Sequence, residues 1–157
     1  MYLACHSYYS LRYGVLSPEG LLEEAKRCGV HAFALTDINN CSGWFELLAE
    51  AKKYDIHVVP GIDFKNSDTH LFIGIARNQH GFAELNRYLS QFLNSKEPIP
   101  AKAPTFEHAV VIYPYVPDKH YALEAHEYVG IHKHDLSKLR VGKNGLPQEK
   151  LLATLPV

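Results

Sequence analysis

Cysteine, methionine and tryptophan are scarce, with three, one and one in 157 residues. Cys5, Cys28 and Cys41 form no CxxC pair, and an odd number cannot close into a complete disulfide framework, so a reduced, cytoplasmic protein is expected. No stretch approaches the ~20 consecutive apolar residues of a membrane span, and the N-terminus lacks the charged-then-apolar pattern of a leader. No membrane partner is therefore expected. Excess charge is also missing: 16 Lys and Arg against 17 Asp and Glu leave a formal charge of -1. Without a global basic field, any contact with DNA has to be local. The glycines of "GVLSPEG" do not form a phosphate-cradling pattern. There is no fixed-period repeat and no low-complexity tract.

What is present is enough apolar residue, 46% of the chain, for one core. There are also ten histidines, the side chain most used as a metal ligand and the one that titrates near neutrality. Short apolar runs alternate with helix-period segments over the first 93 residues, the pattern of βαβ units. Strands are expected at Tyr2–His6, Ala32–Leu35, "IHVVPGIDF" and His70–Ala76. The first helix is announced by Ser17 as cap and Pro18 at its first position, and stops at Gly29. The second carries Trp44, Leu47, Leu48 and Ala51 at helical spacing. The third is capped by Asn78 and shows a stripe from Phe82 to Leu93. Three prolines in "NSKEPIPAKAPTF" then impose a long loop. Further strands are expected at Ala109–Tyr113, Tyr128–Ile131 and in "LLATLPV", with a brief helix over Leu136–Val141.

A parallel α/β sheet gathers reactive groups at the carboxyl ends of its strands. By that rule His6 and Ser7, Asp37 and Asn39, and Asp63 share one mouth. His70 departs from it, sitting at the start of its strand: either that strand begins earlier or His70 reaches the mouth from an antiparallel or bent segment. Each also has a plainer reading: Asp37 as the cap of the following helix, Asp63 as part of a turn, His6 and His70 as ordinary strand-end polar residues. "HKHD", His132 to Asp135, is read as solvated surface, as are Arg12, Arg87 and Arg140.

The segments "HSYYSLRYG", "ALTDINNCSG", "VVPGIDF" and "HLFIGIARNQHGFAELNRYLS", in that order and spacing, resemble the polymerase and histidinol phosphatase (PHP) domain at the N-terminus of the bacterial DNA polymerase III alpha subunit. "EYVGI" and "LSKLR" look like the version found in Bacteroidetes-type polymerases. Residues 1–93 carry the match, 94–108 form the proline-rich loop and 109–157 match more weakly. The whole reads as one PHP domain or part of one. The resemblance implies a distorted TIM-like (β/α)7 barrel, incomplete in this length. It also implies up to three metal ions, usually zinc or manganese, in members that cleave phosphoesters.

Against the family's motifs the ligand set is thinned. The His-x-His-Ser motif is Ala4, Cys5, His6 and Ser7 here; Thr-Asp-His-Gly is Thr36, Asp37, Ile38 and Asn39. The Asp-Gly pair is Tyr13 and Gly14, the Glu is Asp63, and the later His is His70. Ala4 and Ile38 have no lone pair to donate, so two ligand positions are lost. The expected degenerate metal site is His6, Asp37, Asp63 and His70, rimmed by Ser7, Ser10, Arg12 and Asn39. It would hold one divalent ion, zinc or manganese, or none tightly. Cys5 is no substitute ligand, because strand neighbours point to opposite faces. The resemblance implies a structural or docking role within the polymerase, with the rest of the alpha subunit and a proofreading exonuclease subunit as partners. An active metal-dependent phosphoesterase is the rival reading. A third is an interaction module working through Asn94–Pro104.

Overall fold

The computed structural model describes residues 1–117, 119–141 and 146–154, without the side chains of 139–141. The expectations for Arg140 and for the last residues of "LLATLPV" therefore lie outside the described residues. Chain order is β1 (Tyr2–Cys5), α1 (Pro18–Arg27), β2 (Ala32–Ile38), α2 (Trp44–Tyr54), β3 (His57–Asn66), β4 (Thr69–Ala76), α3 (Gln79–Ser95), β5 (Ala109–Pro114), β6 (Glu127–Ile131), α4 (Leu136–Val141) and β7 (Leu151–Ala153).

The helix signals act as their chemistry requires. Ser17 accepts from the Gly20 amide ahead of Pro18, and Asn78 accepts from the Gly81 amide ahead of α3. The first helix gives way at Gly29, whose φ of 67° suits a residue without a β-carbon.

The seven strands lie in sequential order in one mixed sheet, β1 to β7. Neighbours are parallel except β3–β4 and β4–β5, which are antiparallel. The sheet curls into a half-barrel, as the incomplete barrel expectation requires. Leu3 from one edge strand and Leu152 from the other pack against the same inner cluster of Ala4, Ala34, Ile73, Ile75 and Ile112. The helices cover the outer face: α1 and α2 enclose Leu22, Phe33, Leu35 and Leu47, while α3 and the proline-rich loop enclose Ile62, Phe64, Phe72, Leu85 and Phe106. Each fully buried side chain of this size contributes ~1.5–3 kcal/mol.

The proline-rich segment is pinned. Ile99, Ala103 and Phe106 are buried, the Asn66 side chain bonds both Ile99 amide and carbonyl, and the Tyr113 hydroxyl accepts from the Ala103 amide. Its apolar residues Ile99, Ala103 and Phe106 are spent on the core. Several strand limits differ from expectation, and two of them bear on the site. β2 continues through Thr36, Asp37 and Ile38, and β1 stops one residue before His6.

Candidate metal centre at the strand ends

Side-chain parity decides what faces the inner mouth. On β3, Ile62 and Phe64 go to the outer core, so Asp63 and Lys65 point inward. The antiparallel turn into β4 brings the start of that strand to the same end of the sheet. There the register slips: Phe64 pairs with Phe72 but Lys65 pairs with His70, leaving Leu71 as an extra residue. Leu71 and Phe72 both pack outward, and the reset turns His70 to the mouth. β1 holds a similar irregularity, with Tyr2 opposite Phe33 and Cys5 opposite Leu35. Cys5 is driven into the outer core, and His6 faces in.

The result is a cavity of about 470 Å³ lined by His6, Asp63, Lys65, His70, Tyr13 and His132, with Ile112, Gly130 and Thr154 among the residues of its far side. Asp63 is its hub. His6 Nε2 lies 3.1 Å from Asp63 Oδ2, His70 Nε2 lies 3.0 Å from Oδ1, and Lys65 Nζ lies 3.7 Å from Oδ2. Burial pushes the Asp63 carboxyl up, but the imidazoles of His6 and His70 and the Lys65 ammonium outweigh it and hold the group below its ordinary value. His70 Nε2 and Asp63 Oδ1 are close but out of hydrogen-bond alignment, and both atoms are buried without another partner.

The structure brings His6, Asp63 and His70 together and sets Asp37 apart. Asp37 follows the parity of Phe33 and Leu35, not that of Ala34, and points to the β1–α1 loop. Its Oδ1 accepts from the Ser7 amide at 2.8 Å and the Ser10 hydroxyl at 2.6 Å; its Oδ2 accepts from the Ser7 hydroxyl at 2.7 Å. Ser10 in turn accepts from the Ile38 amide at 2.9 Å. Ser7 and Ser10 are thus buried supports of the loop, not an open rim. Gly43 leaves room for the pair, since a β-carbon there would lie 3.0 Å from both Asp37 Oδ2 and Ser7 Oγ.

Arg12 stays exposed on the loop with a left-handed φ of 74°. Asn39, also left-handed, clamps the backbone of Lys65: its Nδ2 donates to the Lys65 carbonyl at 2.7 Å and its Oδ1 accepts from the Lys65 amide at 3.0 Å. Ala4 and Ile38 offer no donor, as expected. Cys5 is excluded twice over, by its direction and by burial that raises its thiol to about 12.

Lys65, Tyr13 and His132 are contributors that sequence reasoning passed over. The "HKHD" segment is a short 3-10 turn in which Asp135 is buried and accepts from the His132 amide. His132 shares the inward parity of Gly130 and was readable from that alternation once β6 was placed. A different donor group, Glu84, Glu107 and His108, has ligand atoms all within 4.8 Å of one another, whereas His6 and His70 lie against opposite oxygens of Asp63. That group sits at the opposite end of the strands, where the Arg77 amide bonds the His108 carbonyl, and Glu84 is already engaged by the His108 amide.

The PHP domain family model matches residues 3–139. The chain belongs to the PHP domain family. Curated relatives of this PHP chain include a DNA polymerase III subunit alpha from Ureaplasma parvum, 32% identical over 95 residues, covering 60% of this chain and 10% of that protein. An error-prone DNA polymerase from Saccharophagus degradans is 33% identical over 82 residues, covering 52% and 8%. The chain therefore spans about a tenth of the length of these relatives. Among solved structures, a two-domain protein from Bacteroides vulgatus, described as containing a predicted PHP-like metal-dependent phosphoesterase, aligns with a TM-score of 0.51 at 15% identity over 88% of this chain and 48% of that one. At that identity the likeness shows the fold alone. No helix among the described residues is long and apolar enough to cross a membrane.

Proposed function

We propose that this chain is the PHP region of a DNA polymerase III-type alpha subunit, one domain across residues 1–157. Its mouth serves as architecture and docking surface, not as a hydrolytic centre. The observation that carries this reading is the fate of Asp37: both oxygens of its carboxylate are engaged by Ser7 and Ser10, in three hydrogen bonds. Ala4 and Ile38 have no donor atom, so a several-ion arrangement lacks two of its ligands. The rest of the alpha subunit, a proofreading exonuclease subunit and a cytoplasmic setting follow from the polymerase relatives as part of the same proposal.

What remains fits one divalent ion. His6, Asp63 and His70 present two imidazoles and a carboxylate, with His6 Nε2 against Oδ2 and His70 Nε2 against Oδ1, and Asp63 Oδ1 and His70 Nε2 are buried without a hydrogen-bond partner. An ion there would polarise a phosphoryl oxygen and acidify a bound water. Among the chain's own residues, Asp63 orients both imidazoles and the Tyr13 ring lies against the Lys65 ammonium. Two imidazoles gathered about one buried carboxylate are what favours the second reading, a single-ion phosphoesterase.

The two readings separate on turnover. Purified protein with added manganese or zinc is expected to release no phosphate from a phosphomonoester and no nucleotide from a 3′ DNA end above background. Metal-dependent turnover that His6→Ala abolishes would overturn the proposal.

A further inference from the structure

Lys65 stands where a cation belongs. Its ammonium lies 3.7 Å from Asp63 Oδ2 and 3.9 Å above the Tyr13 ring, and only 11% of its side chain is exposed. The same Asp63 oxygen faces His6 Nε2 at 3.1 Å, so the lysine and any ion held by His6, Asp63 and His70 would share one carboxylate. The placement is built in. Lys65 shares the inward parity of Asp63 two residues earlier, Asn39 holds its backbone on both sides, and the aromatic face of Tyr13 favours a cation at that distance.

We propose that Lys65 is a tethered cation that keeps divalent metal out of the three-donor cluster His6, Asp63 and His70, and that its removal opens a one-ion site for zinc. A dication at the donors would lie within a few ångströms of the fixed positive charge, where like charges repel strongly in a half-enclosed cavity. The lysine therefore lowers metal affinity through repulsion and through its claim on Asp63. This inference rests on the reading of the mouth as non-hydrolytic and adds a residue that keeps metal from the donors that remain.

The test compares zinc binding by wild type, Lys65→Met and Lys65→Arg, using equilibrium dialysis with elemental analysis and thermal melts with and without zinc. Methionine keeps the unbranched packing on Tyr13, and Lys65→Gln serves if Lys65→Met fails to fold. The charge-free variant is expected to bind zinc about tenfold or more tighter than wild type, ~1.4 kcal/mol or more, and to gain melting temperature with zinc as ligand linkage requires. Lys65→Arg is expected to behave as wild type. Adding His70→Ala to Lys65→Met is expected to abolish the gain, which separates this cluster from Glu84, Glu107 and His108.

Equal affinity in wild type and the charge-free variant, absence of binding in both, or a gain that survives His70→Ala would each overturn the inference. None of these touches the non-hydrolytic reading, which fails only if wild type shows metal-dependent turnover.

Discussion

Replacing Asp37 by alanine tests whether its role is structural. The substitution removes three short hydrogen bonds, from the Ser7 amide, the Ser7 hydroxyl and the Ser10 hydroxyl, in a place where Ser7, Ser10 and Asp37 are all at most 1% exposed. Bonds to a charged acceptor contribute ~1.5–3 kcal/mol each, and buried donors left alone cost a similar amount. Each hydroxyl keeps the bond it accepts, Ser10 from the Ile38 amide and Ser7 from the Tyr9 amide, and can rotate its hydrogen to a new acceptor, whereas the Ser7 amide is fixed in the backbone. The net loss is therefore about 3–5 kcal/mol, and a domain of this size falls ~2–4 °C in melting temperature per kcal/mol. A drop of about 10 °C or more is expected in circular dichroism melts, equal in chelator and in added manganese. Asp37→Asn is expected to lie between, since an amide presents hydrogens to at least one of the donors. A drop of less than about 3 °C, or one that appears only with metal present, would refute the structural role.

Two further outcomes follow from group ionisation. Asp63 is held below its ordinary value of 3.8 in the folded protein, so its contribution is complete above that pH and is lost as pH falls through the lower folded value. Denaturant titrations at neutral and strongly acidic pH should show this loss in wild type and a smaller one in Asp63→Asn; equal pH dependence in both would contradict it. In thiol labelling at mildly alkaline pH, exposed Cys28 should react at once. Cys41, half-buried, raised by burial and by Asp37, and bonded to Asn86, should follow slowly. Cys5, pushed up to about 12 by burial, should wait for unfolding; rapid labelling of three thiols in the native protein would contradict the burial of β1.

Most elements were legible because helix and strand leave different periods in the sequence. The stripe Phe82, Leu85, Leu89 names α3, and Ser17–Pro18 names the start of α1. The length of β2 was not legible, since Thr36 and Asp37 look like loop residues. They belong to the strand because both β3 and the β1–α1 loop offer them partners. Burial of the proline-rich loop was hidden too, because proline reports only that a regular element is interrupted and says nothing of where Ile99 and Phe106 pack. In the mouth, His6, Asp63 and His70 were legible as a group from motif order. Lys65 was not, since a lysine beside an acid on a strand ordinarily reads as solvated charge.

The harder question is why two histidines from separate strands reach one carboxylate, and the answer lies in two irregularities that no residue pattern announces. With strict alternation on β1, Tyr2 in the outer core would put Ala4 and His6 outward and Cys5 into the mouth; the slip between Tyr2 and Cys5 exchanges thiol for imidazole. On β4, strict alternation back from Ile73 on the inner face would carry Leu71 inward and His70 outward, and the extra residue opposite Phe64 and Lys65 reverses that. A one-residue shift moves a side chain to the other face of a sheet, so each bulge decides whether its histidine belongs to the site at all. Hydrophobicity drives both. Burying Cys5 beside Leu21 and Phe33, and Leu71 beside Phe72, rewards the slip, and the polar neighbour is delivered to the cavity as a consequence. The His6–Asp63–His70 cluster is therefore positioned by the packing of the outer core.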